Sequence, residues 1–539
     1  MISSLGRYAA FAISLIVALA SAPFVGEHPA LWPVAVITAG LALLGVYDLV
    51  QPRHSILRNY PVLGHIRWLV EMVRPEIRQY LIEADEDAAP FSRAQRSLVY
   101  ARAKNQGSEH PFGTLLDVYR DGYEFIGHST FPKDPADPAS FRITIGGDQC
   151  ARPYSASVFN ISAMSFGSLG AAAIRALNKG AKLGGFSHDT GEGSISPYHR
   201  EFGGDIVWEV ASGYFGCRTA EGRFDPERFA RQATDDQVKM IEIKLSQGAK
   251  PGHGGILPAE KVSPEIAETR GVPMGQDCVS PSRHSAFSTP IEMMGFIRQL
   301  RELSGGKPVG FKTCLGHPWE FMSMVKAMLE TGVRPDFIVV DGAEGGTGAA
   351  PLEFTDHIGA PMREGLLFVH NTLVGAGLRD QIRIGVAGKV VSAFDIASVL
   401  AIGADWANAA RGFMFAVGCV QSLSCNTNRC PTGVATQDPW RQRALVVPDK
   451  AERVFNFHRN TLKALADILA AAGLDHPDQL GPQHLVRRVS MTEIKQFADL
   501  HVFLEPGELL QGDCSSAFYR ESWGMARADS FHRAADSVL

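Results

Sequence analysis

Cysteine is scarce in this chain, 8 in 539 residues, and Cys150, Cys217, Cys278, Cys314 and Cys514 show no spacing of the kind that builds a disulfide framework. That suits a reducing compartment. No long Lys/Arg block is present and the formal net charge is −5, with a pI near 6.4, which argues against nucleic acid as the main partner. No G-x-G-x-x-G follows the first predicted strand, so the fingerprint of a dinucleotide-binding doubly wound sheet is missing, and with it the usual sign of direct NAD(P)H oxidation. There is no solenoid-type repeat. The chain does have length and 45% hydrophobic content, enough for one large catalytic core with additions.

The other three cysteines lie close together. Cys419, Cys425 and Cys430 stand in GCVQSLSCNTNRCPTGVATQDP, a C-x5-C-x4-C pattern. Three thiolates on a short Asn/Thr/Gly-rich segment ending in Cys-Pro can surround one face of an inorganic cluster. A zinc site normally takes a fourth nitrogen or sulfur ligand, and no His lies between Cys419 and His458. Residues 418–433 are thus a candidate iron–sulfur loop, with three reduced structural cysteines as the plainer reading.

Two apolar stretches, Ala9–Val25 and Ala30–Val50, are separated only by Gly26-Glu27-His28-Pro29. The second has the roughly 20 residues that cross a bilayer and the first is near the lower limit. Arg7 precedes the pair and Arg53, Arg58 and Arg67 follow it, while the turn carries no Lys or Arg. The positive-inside rule then places both ends, and the catalytic part, on the cytoplasmic side of the inner membrane. Two other readings stand beside this transmembrane hairpin: a signal peptide ending at Ala20-Ser21-Ala22, against which Pro23 argues, and a buried soluble helix pair.

Residues 51–150 read as a helical collar and linker, with Ile66, Leu69, Val70, Val73 and Ile77 at helical spacing and a breaker-rich stretch at Phe131–Pro138. From 151 to 440 short apolar runs alternate with helical patterns: Val158–Met164, Phe186–His188, Met240–Leu245, Val309–Thr313, Phe337–Val340, Ile382–Val386 and Trp406–Ala410. With an eighth strand near Asp277–Ser280, this predicts a (β/α)8 TIM barrel, an α/β fold. Polar, glycine-rich words fall where strands should end: Ser165–Ser168, Asp189–Gly193, Gln247–Gly255, Lys312–Thr313, Asp341–Gly348, Ala387–Lys389 and Ala410–Gly412. Barrel enzymes place their chemistry there, and glycines after late strands leave backbone N–H groups for a phosphate. Residues 441–539 read as a C-terminal helical region.

Over about Phe159 to Pro439 the chain resembles the FMN-binding synthase domain of glutamate synthases. The words that carry the resemblance are Ala163-Met-Ser, Thr190-Gly-Glu-Gly193, Gln247-Gly-Ala-Lys-Pro-Gly252, Gly345-Gly-Thr-Gly-Ala349 and Cys430-Pro-Thr-Gly-Val-Ala-Thr-Gln437. It implies a [3Fe–4S] cluster on Cys419, Cys425 and Cys430 and an FMN over Ala163, Met164 and Ser165, with Lys312 near the flavin N1–O2 edge. Gly388, Arg411 and Gly412 would hold the phosphate, an assignment that rests equally on their place in the barrel. Substrate residues map to Glu192, Lys250 and Arg270, a set suited to a 2-oxo dicarboxylate because a planar guanidinium and an ammonium match its carboxylates.

The implied activity is reductive amination of 2-oxoglutarate through 2-iminoglutarate to L-glutamate, with electrons from a ferredoxin-like donor passing through the cluster to FMN. The large N-terminal glutaminase domain of the family is absent from the sequence, so ammonia comes from solution or another subunit. The family's Gly-Gly-Gln-Leu-Pro is Gly254-Gly-Ile-Leu-Pro258 here, which opens a second reading: another oxo or imino acid, or an N-substituted amino acid, fitted by Ile256. A third is an electron-transfer module of a membrane complex.

Overall fold

The computed structural model describes residues 6–52, 54–82, 89–107, 109 and 111–534. The chain divides into two compact units, Met1–Arg93 and Ala94–Leu539.

In the first unit, α1 (Ala9–Ser21) and α2 (Trp32–Val50) pack side by side as an antiparallel pair joined through Gly26–His28, and α3 (Gly64–Ile77) follows. The segments Gly6–Phe24 and Pro29–Val50 are long and apolar enough to cross a membrane, and little of either is buried within the protein. The same pattern also fits a signal sequence.

The second unit is built on eight parallel strands: β1 (Phe159–Ile161), β2 (His188–Asp189), β3 (Ile206–Val210), β4 (Val238–Lys244), β5 (Val309–Thr313), β6 (Phe337–Asp341), β7 (Arg383–Ala387) and β8 (Trp406–Ala409). Each pairs with the next, β4 also with β5 and β8 with β1, so the sheet closes. Parallel neighbours need crossover connections, and helices such as Ala171–Gly184, Pro290–Leu303, Pro318–Thr331 and Met362–Gly375 supply them. Several of these helices announce themselves locally. Thr289 and Glu292 form a reciprocal capping box at the start of Pro290–Leu303, as do Ser392 and Asp395 before Ala393–Ala401.

One strand is a correction. The eighth strand was expected near Asp277–Ser280, but Cys278–Val279 forms a two-residue antiparallel ladder with Ile256–Leu257, outside the barrel. The missing barrel strand is Ile206-Val-Trp-Glu-Val210, all buried. Its Glu209 breaks the apolar run, and an acid at that point is stable only because the barrel interior supplies lysines to meet it. The Gln247–Gly255 word therefore follows the fourth strand, not the third.

A hairpin of Arg142–Ile145 and Tyr154–Ser157 plugs one end of the barrel. Its Ile145, Tyr154 and Ala156 form a core cluster with Val207, Met240, Phe337 and Trp406, residues near the starts of their strands. The N-terminal mouth is thereby sealed with apolar side chains, which leaves the C-terminal rim for chemistry. Residues 441–539 supply the long helix Val447–Ala471, against which Gly180 packs so closely that a Cβ there would lie 2.4 Å from Val454. They also supply two strands, Leu485–Arg488 and Ile494–Gln496, the first pairing with Glu124–Ile126 of the linker. The tail is thus part sheet, its pairing partner lying some 360 residues upstream in sequence.

Candidate functional site

The C-terminal rim holds a chain of buried charges. Lys244, at the end of β4, lies 3.0 Å from Glu192 Oε2 and 3.8 Å from Glu209 Oε1. Lys312, near the end of β5, pairs closely with Glu209 and stands 3.4 Å from Glu242. Asp189 closes the group on β2, its Oδ1 accepting from Gly191 N–H at 2.9 Å, and Asp341 on β6 accepts from Gly248 N–H at 2.9 Å. Burial works against the Lys312 charge, yet Glu209, Glu242, Asp189 and Asp341 hold its pKa well above the ordinary lysine value. It is a permanent cation. Burial, and then the neighbouring carboxylate, push Asp189 and Glu242 the other way, Asp189 to about 7 and Glu242 well above the ordinary carboxylate range. Carboxylate oxygens of Asp189, Glu209 and Glu242 come within 4.8 Å of one another, as they would around a metal ion, but the Lys312 ammonium already provides the positive charge.

Of these groups, sequence reasoning named only Glu192 and Lys312. Glu209, Glu242 and Lys244 were missed, and the available signal was a charged residue inside an otherwise apolar, strand-like run.

Glu192 follows the tight turn at Gly191. Burial would raise its carboxyl, but Lys244, Arg270 and Lys250 outweigh that and hold it below the ordinary value, so it is ionised at neutral pH. Gly255 packs directly on it, with a Cβ there falling 2.0 Å from Glu192 Oε1. Lys250 is 2% exposed, and burial draws its pKa down, offset in part by Glu192. Arg270 ends the helix Pro264–Arg270 and is buried rather than on the surface. Its Nη2 donates to the Phe166 carbonyl at 3.0 Å, its guanidinium lies 5.2 Å from the Phe215 ring centroid, and its buried Nε has no partner among the described residues. A cavity of about 510 Å³ borders Arg270 and is lined also by Tyr198, Arg218 and Gln232. Glu192, Lys250 and the three cysteines do not line it. Ile256 pairs with Val279 one residue past Gly255 and is 38% exposed.

Ala163, Met164 and Ser165 form the turn after β1. Gly191, at φ +61°, approaches so closely that a Cβ would lie 2.7 Å from Ser165 N, which only glycine permits. Gly388 follows β7, and Arg411 and Gly412 follow β8. Arg411 donates to the Glu344 carbonyl at 2.6 Å. A half-buried guanidinium beside glycine-lined strand ends, with a fixed lysine charge across the rim, fits a phosphate and an electron-rich ring in chemical kind.

The cysteine loop is wound by left-handed residues at Gly418, Gln421, Leu423, Asn428 and Gly433. No disulfide forms, and the three thiols lie close enough to affect one another electrostatically. Burial pushes Cys419 up to about 12 and raises Cys425, whereas hydrogen bonds from the Thr432 side chain and from the backbone N–H groups of Ala435, Thr432 and Val434 overcome burial and lower Cys430. Gln421 N–H also points at Cys419 Sγ, 3.5 Å away. Three gathered thiols with N–H donors aimed at sulfur are a donor set of the kind that thiolate-held clusters use. Tyr100 of α4 (Arg93–Ala103) donates to the Cys419 carbonyl at 2.6 Å.

Two contacts bolt this loop to the turn after β1. Gln437 Nε2 donates to the carbonyls of Gly167 and Leu169 at 2.9 and 3.0 Å. The buried Lys261 ammonium donates to the carbonyls of Ser168 and Cys425 at 3.1 and 3.0 Å. Gly348, after β6, also packs on Cys425.

A closed parallel barrel with its charged groups on the C-terminal rim and a three-thiol loop fastened to the turn after β1 defines the class: a TIM-barrel protein with a charged rim site. The chain belongs to the glutamate synthase family, because the profile of the conserved region in glutamate synthase matches residues 140–475, more than half of it. The chain is 40% identical over 487 residues to the glutamate synthase large subunit-like protein YerD of Bacillus subtilis, covering 83% of this chain and 92% of that one. It is 33% identical to the archaeal-type glutamate synthase [NADPH] of Thermotoga neapolitana, covering 62% of each chain. To the ferredoxin-dependent glutamate synthase of Antithamnion sp. it is 33% identical over 55% of its length, but it spans only 18% of that larger protein.

Proposed function

We propose that the protein is a glutamate synthase-type iron–sulfur flavoprotein: 2-oxoglutarate, ammonium, two electrons and two protons give L-glutamate and water by way of 2-iminoglutarate. The observation that carries this reading is ionised Glu192 within electrostatic reach of Lys250, Arg270 and Lys244, beside the bolted three-thiol loop. Glu192 holds the ammonium or accepts its proton; Lys250, made a stronger acid by burial, polarises the 2-oxo group and donates to the departing oxygen. Arg270 takes a carboxylate on its guanidinium, exchanging the Phe166 carbonyl for a stronger charged partner. Lys312 stays protonated and supplies fixed positive charge where negative charge develops.

FMN, held by Ala163, Met164, Ser165, Lys312, Gly388, Arg411 and Gly412, would supply the hydride for the imine carbon, and a [3Fe–4S] cluster on Cys419, Cys425 and Cys430 the one-electron steps that feed it. The relatives' names offer NADPH and ferredoxin as electron sources. A ferredoxin-like donor is the better match here, since the sequence carries no dinucleotide fingerprint. The apolar helices α1 and α2 support anchoring in the inner membrane with the barrel on the cytoplasmic side.

Ile256 favours a second reading with the same cofactors and a different oxo, imino or N-substituted amino acid, and the apolar helices favour an electron-transfer role within a membrane complex.

One anaerobic experiment separates them. The purified protein is reduced chemically, given 2-oxoglutarate and ammonium, and followed for flavin reoxidation and glutamate together. Glutamate formed as the flavin reoxidises is the expected result, and Lys250→Met should slow it by at least about 100-fold while retaining flavin. A flavin that stays reduced overturns the assignment in favour of another substrate or a relay.

A further inference from the structure

Helix α3 carries an apolar stripe that is left uncovered among the described residues. Ile66, Leu69, Val70, Val73 and Ile77 recur at i, i+3, i+4, i+7 and i+11 and therefore share one face. They are 55, 57, 53, 37 and 38% exposed. Arg67 and Arg74 border the stripe on one side and Glu76 on the other, and residues 54–82 hold four arginines against two glutamates.

The start of this helix is clamped to the last turn of α2. The fully buried Asp48 carboxylate accepts from Val62 N–H at 2.9 Å and pairs with His65 Nε2 at 2.9 Å. Gln51 knits the same turn, accepting from His54 N–H at 2.8 Å and donating to the carbonyls of Asp48 and His54. An acid inside an otherwise apolar helix is costly unless satisfied, and here its partners come from the start of α3. The clamp keeps the beginning of α3 at the level where α2 ends.

We propose that α3 is an in-plane interfacial helix, its apolar stripe laid into the headgroup–acyl boundary of the anionic leaflet at which α2 ends, with Arg67 and Arg74 among the lipid phosphates. This rests on reading α1 and α2 as membrane spans. Continuity with those spans and the arginine excess name the occupant: a helix with one apolar face and a basic border lies on a bilayer surface, drawn by buried area and by anionic lipid together. Asp48, Val62 and His65 set its depth.

The test uses the full-length protein in vesicles of phosphatidylcholine and phosphatidylglycerol whose acyl chains are brominated near the headgroup, reading tryptophan quenching. In a Trp68→Phe background, which removes the native tryptophan of α3, Leu69→Trp places a probe on the stripe and Glu71→Trp one on the opposite face; Trp32→Phe removes the native reporter of α2. We expect Leu69→Trp to add a strongly quenched component, Glu71→Trp a weakly quenched one, and Trp32→Phe to remove a quenched one. With Arg67→Gln and Arg74→Gln added, quenching at Leu69→Trp should fall on anionic vesicles.

Quenching at Trp32 without quenching at Leu69→Trp overturns the proposal while sparing the hairpin, and means that the stripe packs on protein, such as a second copy of the chain. Equal quenching of both α3 probes overturns it too, since the helix is then immersed rather than in plane. No quenching at Trp32 removes the membrane reading itself.

Discussion

Lys261 is a buried ammonium held by two backbone carbonyls, one from the turn after β1 and one from Cys425. Burial lowers its pKa, and the nearby Cys425 and Cys430 oppose that shift. A positive charge at this place stabilises added negative charge on whatever the thiols bind, and its two bonds fix the spacing between the loops. Lys261→Met should therefore make the proposed cluster harder to reduce, moving its midpoint potential negative by about 59 mV for each tenfold loss in the reduction equilibrium, whereas Lys261→Arg stays near the parent value. A redox titration followed by EPR decides it, and an unmoved potential in the Met variant refutes the role. Gly191 makes a steric claim of the same kind. With φ at +61° and Ser165 N 2.7 Å from a would-be Cβ, Gly191→Ala must displace the turn that carries Met164 and Ser165. Under the proposed flavin site, the expected result is loss of most of the flavin, read as the flavin-to-protein ratio of the purified variant.

At the scale of elements, the long helix Val447–Ala471 docks on the barrel through His458. Its Nε2 lies 3.0 Å from Ser157 Oγ and 3.1 Å from the Phe159 carbonyl, and its ring stacks on Phe186 at 3.9 Å. Burial holds His458 down to about 3; it does the same to His188, at about 3, and to His284, at about 4. These imidazoles stay neutral in the folded protein, while in the unfolded chain they take up protons near pH 6.5. Between about pH 6.5 and about 3 the unfolded state binds more protons, so stability is full above that window and falls as the pH drops through it. Thermal unfolding followed between pH 7.5 and 5 should move to lower temperature, by more than about 1 kcal/mol of stability for each such histidine. A flat profile would mean that the histidines are already hydrated or charged in the fold.

For the whole molecule, two units divide the work. The first, Met1–Arg93, holds the apolar helices, and the second holds the barrel with its own sealed N-terminal mouth. Under the proposed anchoring, deleting residues 1–50 should shift the protein from a detergent-requiring membrane fraction to one released by salt, since the deletion takes both apolar helices and leaves only the proposed surface attachment of α3. Retention resistant to salt and alkali would refute anchoring by α1 and α2.

Much of this was legible in the sequence, and the reasons are local. Seven of eight barrel strands were readable because buried parallel strands form short apolar runs, and the glycine words could be placed because tight turns at strand ends need glycine whatever surrounds them. The three cysteines were conspicuous by spacing alone. Ile206–Val210 was not readable as a strand, because its Glu209 becomes tolerable only opposite Lys244 and Lys312, which arrive from strands far along the chain. Arg270 could be picked out by type, but its burial against Phe166 and Phe215 could not, and the strand at Leu485–Arg488 depends on a partner at Glu124–Ile126.

The sequence by itself determined the barrel class, the thiol loop and the apolar N-terminus, all set by periodicity and composition over a few residues. Only the tertiary structure decided which acids are pushed up by burial and neighbouring charge, which lysine stays charged and which loops Lys261 joins. Those outcomes depend on burial and on charges brought within a few ångströms from distant parts of the chain, where Coulomb energies are large and local pattern carries no trace of them.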